Sequence, residues 1–317
     1  MKRSIKIIKN RSDIGAGTRG SDLGIDAIEI AAINKGSQYF HHYPFTDVKT
    51  RNDVVYDPAL HPFAKRIKEV LKQCGEVASI VEQTLKDDFF PLVFSGDHSS
   101  AIGTISGIKS AFPEKSLGVI WIDAHADIHS PYTTPSGNLH GMPLAATLAE
   151  DNLLCAINRI DEETKEYWQK LKTLGHITGK VKSSDLIYFG VRDTEPAEDI
   201  LINDLEIKNY IVEEVRRLSV KTCVHEVIKK LDDCDLIYVS FDVDSMDSEL
   251  ISDGTGTPVP KGFYPAEVIE LLEELLSLKK VVCFEVVEVN PLLDHKGNKM
   301  AEVAFEILEK ATQAIEG

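Results

Sequence analysis

The sequence from Leu117 to Asp127, LGVIWIDAHAD, joins a run of mostly apolar residues to three potential metal ligands. In an extended strand, successive side chains point to opposite faces of the sheet. Asp123, His125 and Asp127 are spaced two residues apart, so they can all point to one side. This stretch therefore predicts a buried strand whose carboxyl end carries two acids and an imidazole on one face.

Two further apolar runs end in potential metal ligands. PLVFSGD, from Pro91, precedes His98, and LIYVSF, from Leu236, precedes Asp242 and Asp244. Continuous apolar runs are typical of strands that are buried on both faces of a parallel sheet. Ligands of such sheets bind beyond the carboxyl ends of the strands. We therefore expect all six side chains to converge on one polar site.

Three more apolar runs also predict strands: SIKII from Ser4, LIYFGV from Leu186 and VVCFEVV from Val281. Amphipathic stretches between the strands predict helices at residues 63–86, 162–174, 212–231, 265–276 and 300–315. Strands that alternate with helices indicate an α/β fold, with helices on both faces of a mostly parallel, doubly wound sheet. Because the sequence shows no internal repeat or linker, we expect a single three-layer α/β/α domain over residues 1–317.

The charge of the chain limits its partners. The formal net charge is −16 and no Lys/Arg-rich run occurs, so we expect neither a nucleic acid nor a membrane surface as a partner. A cationic substrate suits the sign of this charge, although an acidic surface most often serves solubility alone.

The N-terminal sequence MKRSIKIIKNRSD contains no apolar stretch long enough for a signal peptide. The five cysteines are scattered and none forms a C-x-x-C pair. We therefore expect a cytoplasmic protein with reduced, mostly buried thiols. The cysteines are Cys74, Cys155, Cys223, Cys234 and Cys283.

Two imidazoles and four carboxylates are too many ligands, and too rich in oxygen, for one structural zinc ion. Mixed carboxylate and imidazole ligation suits Mn(II), with Co, Ni or Fe(II) as alternatives. Four carboxylates also balance the charge of two divalent ions. Two such ions about 3.5 to 4 Å apart would deprotonate a water between them and so supply a hydroxide nucleophile for hydrolysis.

Several segments, in this order, resemble the signature segments of the ureohydrolase superfamily: SGDHSSAIG, IDAHADI, SGNLHGMP, SFDVDSMD, GTGTP and EVVEVNP. The SGNLHGMP segment is similar to arginases in particular. The resemblance implies an arginase-like sheet of about eight strands. It also implies manganese-dependent hydrolysis of the guanidinium group of L-arginine to L-ornithine and urea, by a hydroxide that bridges two Mn²⁺ ions per subunit. Members of the family are often homotrimers or homohexamers.

The resemblance also assigns the six metal ligands to two ions. One manganese would be held by His98, Asp123, Asp127 and Asp242, and the other by Asp123, His125, Asp242 and Asp244. Asp123 and Asp242 would then bridge the ions.

His140 in GNLHG resembles the family's proton-shuttling histidine, and Glu288 in EVNP resembles the carboxylate that holds the substrate guanidinium. With Asp127 they form the predicted catalytic set, and Thr257 falls where the family lines the pocket. A guanidinium is a weak electrophile that stays protonated, so a carboxylate to orient it and an acid for the leaving amine make chemical sense. A structural histidine at position 140 and a core salt bridge at position 288 are the alternative interpretations.

The loop after the metal motif is where arginases meet the α-carboxylate and α-amino groups of the substrate. Ser136 and Asn138 match the arginase pattern for carboxylate contacts, whereas His129 stands where arginases usually carry Asn. A histidine can also donate to a carboxylate, but its size and charge differ.

A second departure occurs in the segment VRDTEPAE. Glu195 stands where arginases usually have Asp facing the substrate amino group, while Asp193 and Glu198 match the family. Both departures concern the choice of substrate more than the reaction.

Other functions remain as alternatives. Another ureohydrolase would act on agmatine, guanidinobutyrate or formimidoylglutamate. A single-zinc deacetylase would need one metal site where two half-sites are present, and a catalytically dead binding protein would be expected to have lost ligands. The Gly15, Gly17 and Gly20 pattern G-x-G-x-x-G does not directly follow a predicted strand, so we interpret it as a loop at the rim of the site rather than a dinucleotide site.

Overall fold

The computed structural model describes residues 3–317. Residues 1 and 2, which belong to the predicted domain and to the N-terminal stretch considered above, lie outside the described residues. Within this range the structure contains one sheet of eight strands. The strands are β1 (Ile5–Asn10), β2 (Phe45–Asp47), β3 (Phe90–Ser95), β4 (Leu117–Ile122), β5 (Leu186–Phe189), β6 (Lys208–Tyr210), β7 (Leu236–Asp242) and β8 (Val281–Val287).

Every neighbouring pair of strands is parallel, and the order is β2-β1-β3-β8-β7-β4-β5-β6. The four central strands are therefore β3, β8, β7 and β4. Their carboxyl ends meet at one edge of the sheet, as expected for parallel strands. This order brings together the residues that follow the strands predicted to carry ligands.

Eleven α-helices connect the strands within the described range. They are α1 (Gly24–Asn34), α2 (Tyr39–His42), α3 (Ile67–Lys86), α4 (Ala101–Ala111), α5 (Pro143–Leu148), α6 (Glu162–Lys172), α7 (Pro196–Asp204), α8 (Val212–Leu218), α9 (Val220–Lys230), α10 (Pro265–Leu276) and α11 (Lys299–Glu316). None of the helices in residues 3–317 is long and apolar enough to cross a membrane.

The helices form a layer on each face of the sheet. One hydrophobic core packs α1, α8, α9, α10 and α11 against the sheet, and a second core packs α3 to α7 against the other face. In β4, Ile120 and Ile122 contribute to the first core while Val119 and Trp121 contribute to the second. All residues of β3, β4 and β7 are buried. The predicted α/β fold with a parallel, doubly wound sheet is confirmed.

The structure differs from the sequence-based prediction in its edge strands and in several helices. Strands β2 and β6 have only three residues each and offer too short a pattern to recognise. Helices α1 and α4 were not predicted because most of their residues are buried, which removes the amphipathic pattern. The stretch 212–231, predicted as helical throughout, is two helices that break at Ser219. Its φ is 80° and its hydroxyl caps α9 by accepting the Thr222 amide.

Helices α3 and α4 approach so closely that Gly103 has no room for a side chain. A Cβ built on Gly103 would lie 2.5 Å from the carbonyl oxygen of Cys74. Gly103→Ala is therefore expected to lower the free energy of unfolding by about 1–3 kcal/mol. Gly75→Ala, on the same helix pair with nothing within 4 Å of its Cβ, is expected to raise it by up to about 1 kcal/mol.

Thermal unfolding of both variants beside the wild type measures this difference. Equal shifts in Tm for the two alanine variants would show that the helix pair is not in close contact at Gly103.

Candidate metal centre

The side chain of His98, at the end of β3, meets three carboxylates. Its Nδ1 atom lies 3.1 Å from an Asp123 oxygen, 3.1 Å from an Asp127 oxygen and 3.2 Å from an Asp242 oxygen. These residues follow strands β3, β4 and β7, so the parallel sheet alone brings them to one point. The Nδ1 atom is buried and has no well-aligned hydrogen-bond partner among the residues that the structure describes.

A second group of ligands adjoins the first. His125 Nδ1 lies 2.9 Å from an Asp244 oxygen and 3.5 Å from an Asp123 oxygen. Asp123 belongs to both groups, each of which has its donor atoms close enough to hold a metal ion. The structure thus brings together all six side chains that the sequence pointed to.

Trp121, which the sequence analysis did not single out, fixes two of these ligands. Its indole nitrogen donates to Asp123 Oδ2 at 2.8 Å, and its ring stacks on that of His98 at 3.9 Å between centroids with an interplanar angle of 6°. A buried tryptophan needs an acceptor for its N–H, and here the acceptor is a metal-ligand candidate. A tryptophan two residues before an acid in a buried strand was the signal available in the sequence.

Two residues of the site adopt a left-handed backbone conformation that is unusual for residues other than glycine. Asp127 has φ 49° and Glu288 has φ 66°. Backbone strain of this kind costs on the order of 1 kcal/mol or more and collects at functional sites. Hydrogen bonds from the Leu144 amide to the Asp127 carbonyl and from the Glu288 amide to the Gly96 carbonyl hold both segments in place.

The carboxylates are crowded and shielded from water. Burial, together with the charge of Asp123, raises the pKa of Asp127 to about 7. Burial and the charges of Asp244 and Asp123 raise the pKa of Asp242 well above its usual value. Asp123 behaves differently: burial opposes its charge, but the bonds to His125 and His98 outweigh burial and lower its pKa.

The donor set therefore fits bound cations. Burial opposes a charge on His98, yet the adjacent carboxylates raise its pKa well above the usual value. Four acids and two imidazoles match the oxygen-rich ligation of divalent ions such as manganese. A cation between them would satisfy the unpartnered His98 Nδ1 and offset the repulsion among the acids.

A pocket with about 590 Å³ of empty space opens above the six ligands. Beyond the ligand candidates, its wall includes two residues that the sequence analysis missed, Gly141 and Thr194. Thr257 also lines it, and its hydroxyl donates to Asp244 Oδ2 at 3.3 Å. The full lining is His125, Asp127, His129, His140, Gly141, Asp193, Thr194, Glu195, Glu198, Asp242, Asp244, Thr257 and Glu288.

At the metal end of this pocket, His140 and Glu288 form a buried pair. The His140 Nδ1 atom lies 3.1 Å from Glu288 Oε1, which also accepts the His98 amide at 3.0 Å. Burial opposes the charge of His140, but the bond to Glu288 outweighs it and raises the pKa of His140 to about 9. The same bond outweighs burial at Glu288 and lowers the pKa of that carboxyl. The pair is thus an ionised acid beside a protonated histidine.

At the outer end, His129 faces two acids. Its Nε2 atom lies 2.9 Å from Glu195 Oε2 and 3.6 Å from Glu198 Oε2, and its Nδ1 atom lies 3.0 Å from the Thr133 hydroxyl. Glu195 and Glu198 begin helix α7 with a capping box. Asp193 is largely exposed, with its carboxylate 3.6 Å from His125 Nε2.

Ser136 and Asn138, which the arginase pattern assigns to the substrate carboxylate, are not among the residues that line the pocket within the described range. Ser136 is exposed, and its hydroxyl accepts the Asn138 amide at 3.2 Å. The Asn138 side chain approaches Gly17 and accepts a hydrogen bond from Lys65 at 3.4 Å. Asn138 thus borders the rim loop that contains the G-x-G-x-x-G pattern.

Comparison with known proteins agrees with this geometry. Residues 3–313 match the model of the arginase family. The chain belongs to the arginase family. It is 33% identical to the arginase of Bacillus caldovelox over 313 residues, which are 96% of this chain and 97% of that protein. It is 32% identical to the arginase of Bacillus subtilis over 316 residues, which are 98% and 97% of the two chains.

The native structure of the Bacillus caldovelox arginase at pH 5.6 matches the fold with a TM-score of 0.83 at 32% sequence identity, and 98% of each chain is covered. The resemblance found in the sequence motifs is thereby confirmed. As a member of the arginase family, the chain is a hydrolase that acts on a guanidino C–N bond. The family is metal-dependent, and His98, Asp123, His125, Asp127 and Asp244 form two groups that could hold a metal ion, with Asp242 beside His98.

The crowding of acids generates a prediction about Asp242. Because its folded-state pKa is raised, this acid costs stability at pH values above the ordinary pKa of an aspartate, where the unfolded chain is ionised, and an amide of the same shape does not. In EDTA at pH 8, Asp242→Asn is therefore expected to unfold at the wild-type temperature or above it. Manganese at about 100 times its Kd should raise the wild-type Tm by about 5 °C and the variant's Tm much less.

Asp247→Asn is the matched control, since Asp247 is also buried but caps a turn by accepting the Glu249 and Leu250 amides. It should respond to manganese as the wild type does. An Asp242 variant that is less stable than the wild type in EDTA, or that keeps the full manganese response, would contradict the assignment.

Proposed function

We propose that this protein is a manganese-dependent arginase that hydrolyses L-arginine to L-ornithine and urea. The observation that carries the proposal is the position of the His140 and Glu288 pair, 3.1 Å apart, in a pocket that four of the six converging metal-ligand candidates also line. The names of its relatives support arginine as the substrate. When two manganese ions are bound, they supply an activated water as the nucleophile.

In the proposed binding mode, His98, Asp123, Asp127 and Asp242 hold one manganese ion, while Asp123, His125, Asp242 and Asp244 hold the other. The distances support the first group, and they support Asp123, His125 and Asp244 in the second; the place of Asp242 in the second group rests on the family resemblance. Bridging by Asp123 is consistent with its membership of both groups.

Glu288 provides the anchor for the substrate cation. Its carboxylate is buried, and among residues 3–317 its Oε2 atom accepts only a long hydrogen bond of 3.4 Å from the Ser21 hydroxyl. A planar guanidinium can pair with such a carboxylate through two parallel N–H groups. This contact fixes the plane of the guanidinium and turns its carbon toward the metal ligands.

His140 is then placed to protonate the leaving amine. A cation held by Glu288 lies within reach of His140, because the two side chains touch. The pKa of His140, raised to about 9, keeps a proton on the ring at neutral pH. Collapse of the tetrahedral intermediate requires a proton for the departing ornithine nitrogen, and His140 can donate it.

Replacing His140 tests this role. His140→Asn is expected to lower kcat by about 10²- to 10⁴-fold, since this is the usual contribution of a general acid, while both manganese ions still bind. Urea release and metal content by elemental analysis measure the two effects. His61→Asn, at a buried histidine that bonds Thr164 outside the pocket, is the control. Unchanged turnover in His140→Asn would refute the assignment.

The outer end of the pocket governs the choice of substrate. The Thr133 hydroxyl accepts the Ser130 amide at 3.1 Å and lies closer to His129 Nδ1, at 3.0 Å, than to the Ser130 carbonyl, at 3.5 Å. In the proposed arrangement it donates to His129 Nδ1. The Nε2 atom of His129 then carries the ring proton toward the pocket, between Glu195 and Glu198. We propose that this N–H binds the α-carboxylate of arginine, and that the two acids bind its α-amino group with Asp193. Ser136 and Asn138, which do not line the pocket, remain proposed contacts of the substrate α-carboxylate.

A second candidate substrate follows from the same contacts. The acids outnumber the donors at the outer end, and agmatine keeps the amine of arginine but lacks the carboxylate. His129→Ala is expected to raise KM for arginine about 10-fold, which corresponds to one lost hydrogen bond to a charged group, without affecting agmatine. His129→Asn should restore part of the loss.

Rates of urea release with both substrates decide between these candidates. Turnover of agmatine but not of arginine by the wild type would overturn the arginase proposal. Equal changes in KM for the two substrates in His129→Ala would instead show that His129 does not bind the carboxylate.

We extend the proposal to a single domain, a homotrimeric or homohexameric assembly and a cytoplasmic location. Assembly is supported by the family resemblance alone. The five unpaired cysteines support a reducing compartment.

A further inference from the structure

A carboxylate lies in the middle of the sheet, beneath the metal centre. Glu285 in β8 is fully buried. Its hydrogen bonds come from hydroxyl groups, not from the cationic side chain that usually accompanies a buried acid. Burying an ionised carboxylate costs several kcal/mol unless it is well hydrogen-bonded. Glu285 is the first residue of the EVVEVNP segment, in which the resemblance assigns a role only to Glu288.

Three hydroxyl groups donate to this carboxylate. The Ser95 and Ser100 hydroxyls reach Oε1 at 2.7 and 2.8 Å, and the Tyr238 hydroxyl reaches Oε2 at 2.6 Å. Residue Ser240 stands directly opposite Glu285 in the register of β7 and β8. Tyr238, Ser240 and the metal-ligand candidate Asp242 alternate along β7, so they point to the same face of the sheet.

Ser240 connects this carboxylate to the metal centre. Its Oγ atom lies 2.7 Å from Nε2 of His98, and its side chain shares a face of β7 with Tyr238, two residues away. Because Tyr238 donates its only hydroxyl proton to Glu285, its oxygen is left as an acceptor for Ser240. A Ser240 that gives its proton to this oxygen accepts the N–H of His98. Every donor in this chain points from His98 toward Glu285.

We propose that Glu285 is a positioning residue, which acts through Tyr238 and Ser240 to keep the proton of His98 on Nε2 and its Nδ1 directed at the metal. The inference rests on the proposed metal centre. Histidine ligands commonly donate their second N–H to a carboxylate or carbonyl group, which fixes the tautomer and the ring orientation. Here two hydroxyl groups extend that contact into the core of the sheet.

Two variants interrupt the series of hydrogen bonds from His98 to Glu285 at different points. Tyr238→Phe removes the donor to Glu285, and Ser240→Ala removes the acceptor of His98. Loss of such an outer contact typically weakens metal binding by about 10- to 100-fold. We expect this loss for the manganese ion held by His98, whereas the ion held by His125 and Asp244 changes far less. The double variant should lose little more manganese affinity than either single variant, because both substitutions break the same series of hydrogen bonds.

Manganese titration of the purified full-length protein, followed by electron paramagnetic resonance, measures the two affinities. Tyr39→Phe is the matched control, since the Tyr39 hydroxyl is also buried and bonds Thr312 at 2.6 Å but lies outside the pocket. It should bind both ions as the wild type does.

A second measurement separates positioning from stability. In the zinc-loaded protein, ¹⁵N NMR of the histidine rings should show the proton of His98 on Nε2 in the wild type, with the signal assigned by its loss in His98→Asn. Ser240→Ala should shift this signal, whereas Tyr39→Phe should not. If Tyr238→Phe fails to fold, Glu285→Gln keeps the shape of the side chain and is expected to weaken the same ion.

If folded Ser240→Ala and Glu285→Gln bind both manganese ions with wild-type affinity, this inference is wrong, while the proposed metal centre stands. An equal loss in Tyr39→Phe would overturn it as well, because the effect would then follow stability. A wild type that binds no manganese would overturn the proposed metal centre together with this inference.

Discussion

The structure depends on the crowding of four carboxylates around two imidazoles in a place that water scarcely reaches. His98 Nδ1 has oxygens of three acids within 3.2 Å, and burial raises the pKa of Asp127 and Asp242. Such a cluster is stable only if cations or protons offset its charge. Parallel strands suit this task, because their ends are rigid and meet at one edge of the sheet.

Much of the surrounding structure serves to hold that cluster. Trp121 contacts both His98 and Asp123, and Asp127 and Glu288 adopt backbone conformations that only neighbouring hydrogen bonds make tolerable. Beneath them, Glu285 is bonded to hydroxyl groups of β3, β7 and the turn after β3. Strain and buried charge near the metal centre are thus offset by the two hydrophobic cores of the sheet.

The two ends of the pocket differ in rigidity. At the metal end, Glu288 directly follows β8 and pairs with His140. At the outer end, the Glu195 side chain is 49% exposed and the Asp193 side chain is 65% exposed, and both belong to a loop. Substrate recognition can therefore change through loop residues such as His129 and Glu195 while the reaction chemistry stays the same.

The sequence by itself determined the α/β fold, the central strands and the six metal-ligand candidates, because burial on both faces leaves an apolar run and a spacing of two residues sets a shared face. The sequence did not predict the edge strands β2 and β6 or the break at Ser219. A strand of three residues, or a single backbone angle, leaves no periodic pattern. Only the tertiary structure decided the pairing of His129 with Glu195, the place of Ser136 and Asn138 outside the pocket wall, and the chain from His98 to Glu285. These contacts join residues far apart in the sequence, and only the register and packing of strands and loops bring them together.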